Sequence, residues 1–139
     1  DAEFYTYWYN QPKVMFQCGF TEPTTLEAEQ NFIDKDDSDW YTITDFNGKI
    51  IGETGLLRMW PVWHCTDLSI IIPDPLEQGK GYGTEAVKLA IYFAFEKLKL
   101  NRLQLEVFSH NPRGVKAYEK AGFTIEGILR QAIYINNQY

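Results

Sequence analysis

Residues 70–83 of the chain read IIIPDPLEQGKGYG, an apolar run followed by a loop that contains three glycines. Pro73 ends the apolar run, and an amphipathic pattern starts at Thr84. Glycines let consecutive backbone N–H groups converge, and a helix N-terminus adds partial positive charge at the same place. The stretch therefore predicts a strand, a loop that binds a diphosphate, and a helix. The same glycines also suit a plain tight connection, because the loop has neither the Walker Lys-Ser/Thr nor the GxGxxG spacing.

Strands are predicted on both sides of this loop. Five stretches have the β-branched and aromatic content of strands: 40–46, 49–59, 65–72, 103–108 and, with a bend, 123–135. Asn47-Gly48 joins the first two, which is a strong hairpin signal. Pro73-Asp74-Pro75 ends the third, because proline cannot continue a ladder of hydrogen bonds.

Three segments have the patterns of helices. Residues 25–35 are amphipathic, with Thr24 or Thr25 as the N-cap. From 84 to 99, apolar residues recur every three or four positions. Asn111-Pro112 reads as the N-cap and first turn of a helix that ends at Ala121. Hairpins followed by alternating strands and helices predict the α+β class, or a mixed α/β fold around one sheet.

Composition limits the classes of protein to consider. The 139 residues fit a single domain, 1–139, and 45% hydrophobic with 23% charged residues is typical of a globular protein. Thirteen basic against nineteen acidic side chains give a net charge of −6, which argues against nucleic acid as a partner. That charge suits a cationic small substrate, although it also simply favours solubility.

Metal, disulfide and membrane signals are weak. The two cysteines (Cys18 and Cys65) and the two histidines (His64 and His110) have no metal-ligand spacing, so no metal site is expected. A disulfide is compatible with the sequence but not required by it. No apolar run approaches the ~20 residues that span a bilayer, and no signal peptide is apparent. The expected location is therefore the cytoplasm, without a membrane partner.

A second motif makes the glycine loop more specific. About thirty residues after it, residues 111–123 read NPRGVKAYEKAGF. Together, Gln-x-x-Gly-x-Gly and Asn-x6-Tyr-x-Lys-x-Gly-Phe resemble the GNAT superfamily of N-acetyltransferases. The resemblance covers about residues 8–139 and is most specific over 67–127. It implies a twisted, mostly antiparallel central sheet flanked by helices, with acetyl-CoA as the cosubstrate and no metal.

The resemblance also implies roles for individual residues. The end of the third strand would pair with the pantetheine arm, and an amide of Ile71 or Ile72 would polarise the acetyl carbonyl. Asn111 would contact the pantetheine or phosphate region, or else serve only as a helix cap. The full set of implied cofactor contacts is Ile70, Ile71, Ile72, Gln78, Gly79, Lys80, Gly81, Tyr82, Gly83, Thr84, Asn111 and Arg113. Of these, Arg113 is alternatively a solvated residue of the first helical turn.

Two catalytic roles follow from the resemblance. Tyr118 would lie near the sulfur as the general acid, unless it only packs on a helix face. A phenol with a pKa near 10 is protonated at neutral pH and can donate to a departing thiolate. The amine must lose a proton before it attacks. Asp67 is the preferred base, ahead of Glu53 and Glu106, and an ordinary strand residue is the alternative.

The acetyl acceptor is the least determined feature. Subfamily similarities lead to two branches, spermidine/spermine acetylases and acetylases of ribosomal-protein N-termini, and the acidic composition slightly favours a polyamine. The alternatives are a non-catalytic acyl-CoA-binding or regulatory module and an interaction domain without nucleotide.

The ends of the chain also differ from the superfamily pattern. The chain reads as starting inside the first helix, near Asp1 to Asn10, so the usual first and last strands are expected to be missing. A fragment, a partner chain that completes the sheet, and tolerance of shorter edges all explain this. An uncovered apolar sheet edge favours a homodimer.

Overall fold

A computed structural model describes residues 1–35, 39–135 and 137–139. The elements are α1 (Ala2–Tyr9), α2 (Pro12–Cys18), α3 (Leu26–Asp34), β1 (Asp39–Thr44), β2 (Ile50–Trp60), β3 (Cys65–Ile71), α4 (Tyr82–Tyr92), β4 (Arg102–Gln104) and α5 (Pro112–Ala121). A short 3₁₀ turn, Pro61–Trp63, connects β2 to β3, and a π-helical turn, Phe93–Lys97, extends α4. The mixed α/β class is confirmed.

The strands form one sheet in the order β1-β2-β3-β4. The first three are antiparallel neighbours, and β4 runs parallel to β3. The predicted hairpin is confirmed, because Asp45 Oδ1 accepts from the amides of Asn47 and Lys49 at 2.8 and 2.9 Å. In the register of the sheet, Glu53 on β2 lies opposite Ile71 on β3. This pairing places Glu53 next to the end of the strand that leads into the glycine loop.

β3 is much longer than its parallel partner. Pairing with β4 covers only Cys65–Asp67 against Arg102–Gln104, while β3 continues to Ile71. After Gln104 the chain stays outside the ladder. The two strands therefore separate, and the last residues of β3 keep one backbone edge that faces away from β2.

Helix ends follow the local sequence signals. Thr25 Oγ1 accepts from the amide of Ala28 at 3.1 Å and caps α3, as predicted for one of the two threonines. Asn111 Oδ1 accepts from the amide of Gly114 at 3.0 Å and caps α5. Gly122 ends α5 with φ of 106°, a left-handed conformation that glycine adopts without strain.

The two faces of the sheet carry separate cores. On one face, Leu56 and Leu68 pack with Val87 and Ala94 of the α4 segment. On the other face, Tyr5 and Tyr9 of α1 pack with Val14 of α2 and against Ile71 of β3. The aromatic residues near the start of the chain therefore form the second core.

Three sequence predictions need correction. The strand predicted at 103–108 ends at Gln104, because the chain beyond Gln104 no longer pairs with β3. The helix predicted over 84–99 changes to a π turn at Phe93–Lys97. Over a single turn, the spacing of apolar residues does not distinguish the 3.6 residues per turn of an α-helix from the larger number in a π-helix. Residues 123–134 join no strand, because residues that favour strands form one only where a neighbouring strand pairs with them. An isolated bridge joins the last residue of the segment 123–135, Ile135, to Gln138.

Membrane-spanning helices are absent from the residues that the structure describes, since none of those helices is long and apolar enough to cross a bilayer.

The Leu56–Leu68 core predicts a large effect of truncation. Replacing Leu68, which is 5% exposed, by alanine is expected to lower the free energy of unfolding by about 2–5 kcal/mol, because it leaves a cavity. Leu89 on α4 is 69% exposed, so Leu89→Ala is the matched control and should change stability by less than about 0.5 kcal/mol. Urea denaturation of both variants measures the difference. Equal losses would mean that Leu68 does not lie in the core that the sheet forms with Val87 and Ala94.

Candidate active site

The glycine loop lies between β3 and α4, at the point where β3 and β4 have separated. Gln78 Nε2 donates to the carbonyl of Ile72 at 2.8 Å and closes the loop back onto the end of β3. Gly79 and Gly81 have φ of 78° and 94°, values that favour glycine. The amide of Glu85 donates to the carbonyl of Gly81 at 3.0 Å as the first hydrogen bond of α4.

That first bond leaves a set of backbone donors at the start of α4. The amides of Tyr82, Gly83 and Thr84 precede it, and the first turn of a helix has no carbonyl of its own to offer them. They lie in the same short segment as the two left-handed glycines of the loop. This arrangement is suited to a phosphate group, which accepts several hydrogen bonds at a helix N-terminus.

Charges beside the loop are organised around Glu77. Its carboxylate is 7% exposed and accepts hydrogen bonds from Lys49 of the hairpin and from Lys80 of the loop. These two ammonium groups hold the pKa of Glu77 below its ordinary value. Arg113 at the start of α5 reaches toward the loop, with Nη1 3.4 Å from Gln78 Oε1. Lys80 therefore contributes to holding the loop, and Arg113 offers a guanidinium next to it.

Tyr118 lies on α5, packed against the core that α4 shares with the sheet. Its ring meets Phe123 edge-on, with centroids 5.9 Å apart. Burial raises the pKa of the phenol, so the hydroxyl stays protonated through the neutral range. This is the protonation state that a general acid requires. Asn111, in contrast, uses its side-chain oxygen to cap α5.

Asp67 is 3% exposed and lies in the paired part of β3. It forms an ion pair with Arg58 of β2 and accepts from Gln104 Nε2 of β4 at 2.8 Å. Its position is four residues before Ile71, about 13 Å along a strand. Asp67 is thus engaged with both neighbouring strands, and its role as a base stays a prediction.

Glu53 is 7% exposed and lies under α1, where Tyr9 Oη donates a hydrogen bond to its Oε1. Desolvation raises the pKa of Glu53 to about 7, against the opposing effect of the Tyr9 hydrogen bond. Glu106, the third carboxylate considered, is exposed in the segment after β4. Sequence analysis missed Tyr9, because the two partners of this bond are 44 residues apart.

The glycine loop at the start of α4 and the separated strands beside it agree with a comparison to known families. The model of the acetyltransferase (GNAT) domain matches residues 1–124. This chain belongs to the GNAT family. It is therefore an N-acetyltransferase that uses acetyl-CoA, as the two motifs predicted. In the described ranges, no group of three or more His, Cys, Asp or Glu side chains is placed to hold a metal.

Individual GNAT proteins resemble the chain over all or much of its length. The spermidine N(1)-acetyltransferase of Escherichia coli K12 is 32% identical over 139 residues, which cover 100% of this chain and 70% of that protein. The crystal structure of spermidine N-acetyltransferase from Vibrio cholerae with CoA and spermine has a TM-score of 0.88 at 27% identity, covering 100% of this chain and 84% of that one. A putative ribosomal N-acetyltransferase, YdaF of Bacillus subtilis, is 30% identical over 94 residues, 68% of this chain and 51% of that protein.

The environment of Glu53 predicts a pH-dependent stability. Its pKa rises from an ordinary 4.5 to about 7 on folding, so folding favours the protonated carboxyl. This contribution is present below pH 4.5 and is lost as pH rises through 7. Glu53→Gln removes the titration. As pH rises from 4.5 to 8, the unfolding free energy of the variant minus that of wild type should increase by about 3 kcal/mol, because only the wild type loses the contribution of Glu53.

Urea denaturation at four pH values between 4.5 and 8 measures this difference. Glu96→Gln is the control, because Glu96 is exposed and pairs with Lys99 on the surface at 3.7 Å. A Glu53→Gln stability difference that is constant over the range would contradict the raised pKa.

Proposed function

We propose that this GNAT domain transfers the acetyl group of acetyl-CoA to a primary amine of a polyamine such as spermidine. The observation that carries the proposal is the early end of the β3–β4 ladder at Asp67, which leaves this edge of β3 unpaired as far as Ile71, where the chain enters the glycine loop. An extended pantetheine arm can pair with the exposed edge of β3 while the diphosphate reaches the amides that start α4. The spermidine acetyltransferase relatives and the net charge of −6 support a cationic acceptor.

The cosubstrate contacts of the proposal come from three elements. The β3 end provides the strand edge, the loop and the start of α4 provide the diphosphate amides, and the start of α5 provides the Arg113 guanidinium. The assigned residues are Ile70, Ile71, Ile72, Gln78, Gly79, Lys80, Gly81, Tyr82, Gly83, Thr84, Asn111 and Arg113. Lys80 acts through its ion pair with Glu77 as well as through its backbone.

The reaction assigned to this site is direct acetyl transfer within a ternary complex. The amine nitrogen attacks the thioester carbonyl carbon, and an amide at the end of β3, from Ile71 or Ile72, stabilises the developing oxyanion. Such a donor contributes about 3 kcal/mol to transition-state stabilisation. As the C–S bond breaks, Tyr118 donates its phenolic proton to the thiolate. The phenol is well suited to this, because burial keeps it protonated.

The arrangement of the whole protein is also part of the proposal. We propose that residues 1–139 act as one domain, that the chain works in the cytoplasm, and that it assembles with copies of itself. A dodecameric structure of spermidine N-acetyltransferase from Vibrio cholerae, with a TM-score of 0.74 at 26% identity, supports homo-oligomers beyond a dimer.

Acetyl transfer to spermidine tests the function directly. The protein with acetyl-CoA and spermidine is expected to release CoA and form acetylspermidine, detected by mass spectrometry. Tyr118→Phe should lower kcat by about 10²–10⁴-fold, because the general acid is lost, and leave the Kd for acetyl-CoA within twofold. An N-terminal peptide of a ribosomal protein is the competing acceptor. Preference for the peptide would transfer the proposal to protein N-termini, and an unchanged kcat in Tyr118→Phe would remove the acid role.

The diphosphate loop is tested by a charge. Gly81→Asp is expected to weaken acetyl-CoA binding at least about tenfold in calorimetry, because a carboxylate next to the amides repels the diphosphate. Gly122→Asp is the matched control. Both glycines have φ near 100° and open space where a Cβ would lie, so backbone strain is similar. Gly122 follows the far end of α5, about 15 Å of helix from Asn111. Equal weakening in both variants would mean that strain, not charge, causes the loss.

A further inference from the structure

The acetyl transfer needs an acceptor for the proton that the amine must lose, and Asp67, the base that the sequence favours, is already engaged with Arg58 and Gln104. Primary alkylamines have pKa values near 10, so at neutral pH they reach the enzyme as ammonium ions. An ammonium nitrogen has no lone pair with which to attack a carbonyl. A base with a pKa near the working pH, close to the end of β3, would complete the reaction.

Glu53 is placed for this role by the register of the sheet. It lies opposite Ile71, on the strand next to the one that ends at the glycine loop. Its Oε1 is fixed by Tyr9 Oη, and Tyr9 belongs to the same core cluster as Ile71. The carboxylate is therefore held on the α1 face of the sheet, near the last residues of β3.

A small cavity gives this carboxyl group a route outward. It has a volume of about 90 Å³, and Glu53 shares its walls with the charged side chains of Asp1 and Lys35 and with aromatic residues of α1, α3 and β1. A water molecule occupies about 30 Å³ in the liquid, so this volume accommodates an ammonium group or a short water chain.

We propose that Glu53 is the catalytic base of this acetyltransferase and that Tyr9 is the residue that positions it. The inference rests on the proposed acetyl transfer and adds the proton acceptor to it. One proton passes from R–NH₃⁺ to the Glu53 carboxylate. The freed lone pair forms the N–C bond, the C–S electron pair leaves with sulfur, and Tyr118 protonates the thiolate. The second amine proton leaves the tetrahedral intermediate to water, which also re-protonates Tyr118 and takes the proton back from Glu53.

The surroundings of Glu53 favour this choice over Asp67. Asp67 is already paired with Arg58 and Gln104, whereas Glu53 has a hydroxyl as its partner. Three effects act on the titration of Glu53: burial and the charge of Glu29 on α3 raise its pKa, and the Tyr9 hydrogen bond lowers it. Asp1, Lys35 and Tyr41 line the cavity beside it, and the charge of Glu53 raises the pKa values of Tyr5 and Cys18. Burial is the largest effect and holds the pKa of Glu53 at about 7.

The test is the pH dependence of acetyl transfer by the full chain, using spermidine and the ribosomal N-terminal peptide as separate acceptors. In wild type, kcat/KM is expected to fall as pH drops below about 7, because Glu53 becomes protonated. Glu53→Gln should lower kcat at pH 7 by about 10²–10³-fold and keep the Kd for acetyl-CoA. The remaining rate of Glu53→Gln should rise tenfold per pH unit until the pH reaches the pKa of the amine. Without the base, only amine that is already deprotonated in solution reacts. Glu96→Gln, a surface carboxylate change, should match wild type.

Tyr9→Phe separates positioning from general structural support. The Tyr9 hydrogen bond lowers the pKa of Glu53, so its removal should move the acidic limb of the profile to higher pH. A loss of rate at all pH values with an unmoved limb would assign Tyr9 a packing role only.

The outcomes for the base and for the acceptor are distinguishable. Activity with the peptide but not with spermidine would reject the polyamine acceptor, while Glu53→Gln measured on the peptide would still decide the base. A Glu53→Gln enzyme with nearly wild-type kcat and an unchanged acidic limb would overturn the inference. Equal losses of kcat and acetyl-CoA affinity would also overturn it, because the effect would then be structural. A wild-type chain that binds acetyl-CoA and acetylates neither amine would reject both proposals.

Discussion

The end of backbone pairing between β3 and β4 is the constraint on which the rest of the molecule depends. Three residue pairs hold the two strands together, and after Gln104 they separate. A strand with a free edge inside a protein needs another partner for its amides and carbonyls. In the proposed reaction, the extended pantetheine arm of acetyl-CoA supplies that partner, so the gap between the strands is the place for the cosubstrate. The glycine loop and the start of α4 follow β3 at one end of this gap.

Much of the fold around the glycine loop could be predicted from local sequence signals. The hairpin at Asn47-Gly48, the caps of α3 and α5, and the strand–loop–helix around the glycines depend on interactions within a few residues, which sequence patterns record well. The length of β4 was not readable. It depends on how far β3, which lies 37 positions earlier in the chain, stays beside it. The same reason applies to 123–135, which has strand-like composition without a strand partner.

The two buried carboxylates of the sheet show the same difference between what local sequence predicts and what distant contacts decide. Asp67 and Glu53 are both less than 10% exposed, and the sequence offered both as bases with a preference for Asp67. What separates them is their contacts: an ion pair across the sheet for one, a phenol from α1 for the other. These contacts join residues that are 9 and 44 positions apart, and only the second brings a distant helix to the site. Chemistry of this kind is specified by tertiary packing.

Glu77 has a consequence for how the loop meets its ligand. By binding Lys49 of the hairpin and Lys80 of the loop at once, this carboxylate ties two segments together before any cosubstrate arrives. A loop that is ordered in advance loses little conformational entropy on association, so less of the intrinsic binding energy is offset. Preorganisation here is electrostatic, since it depends on two half-exposed ammonium groups. Ions in solution screen such contacts, which links the readiness of the site to the ionic strength around it.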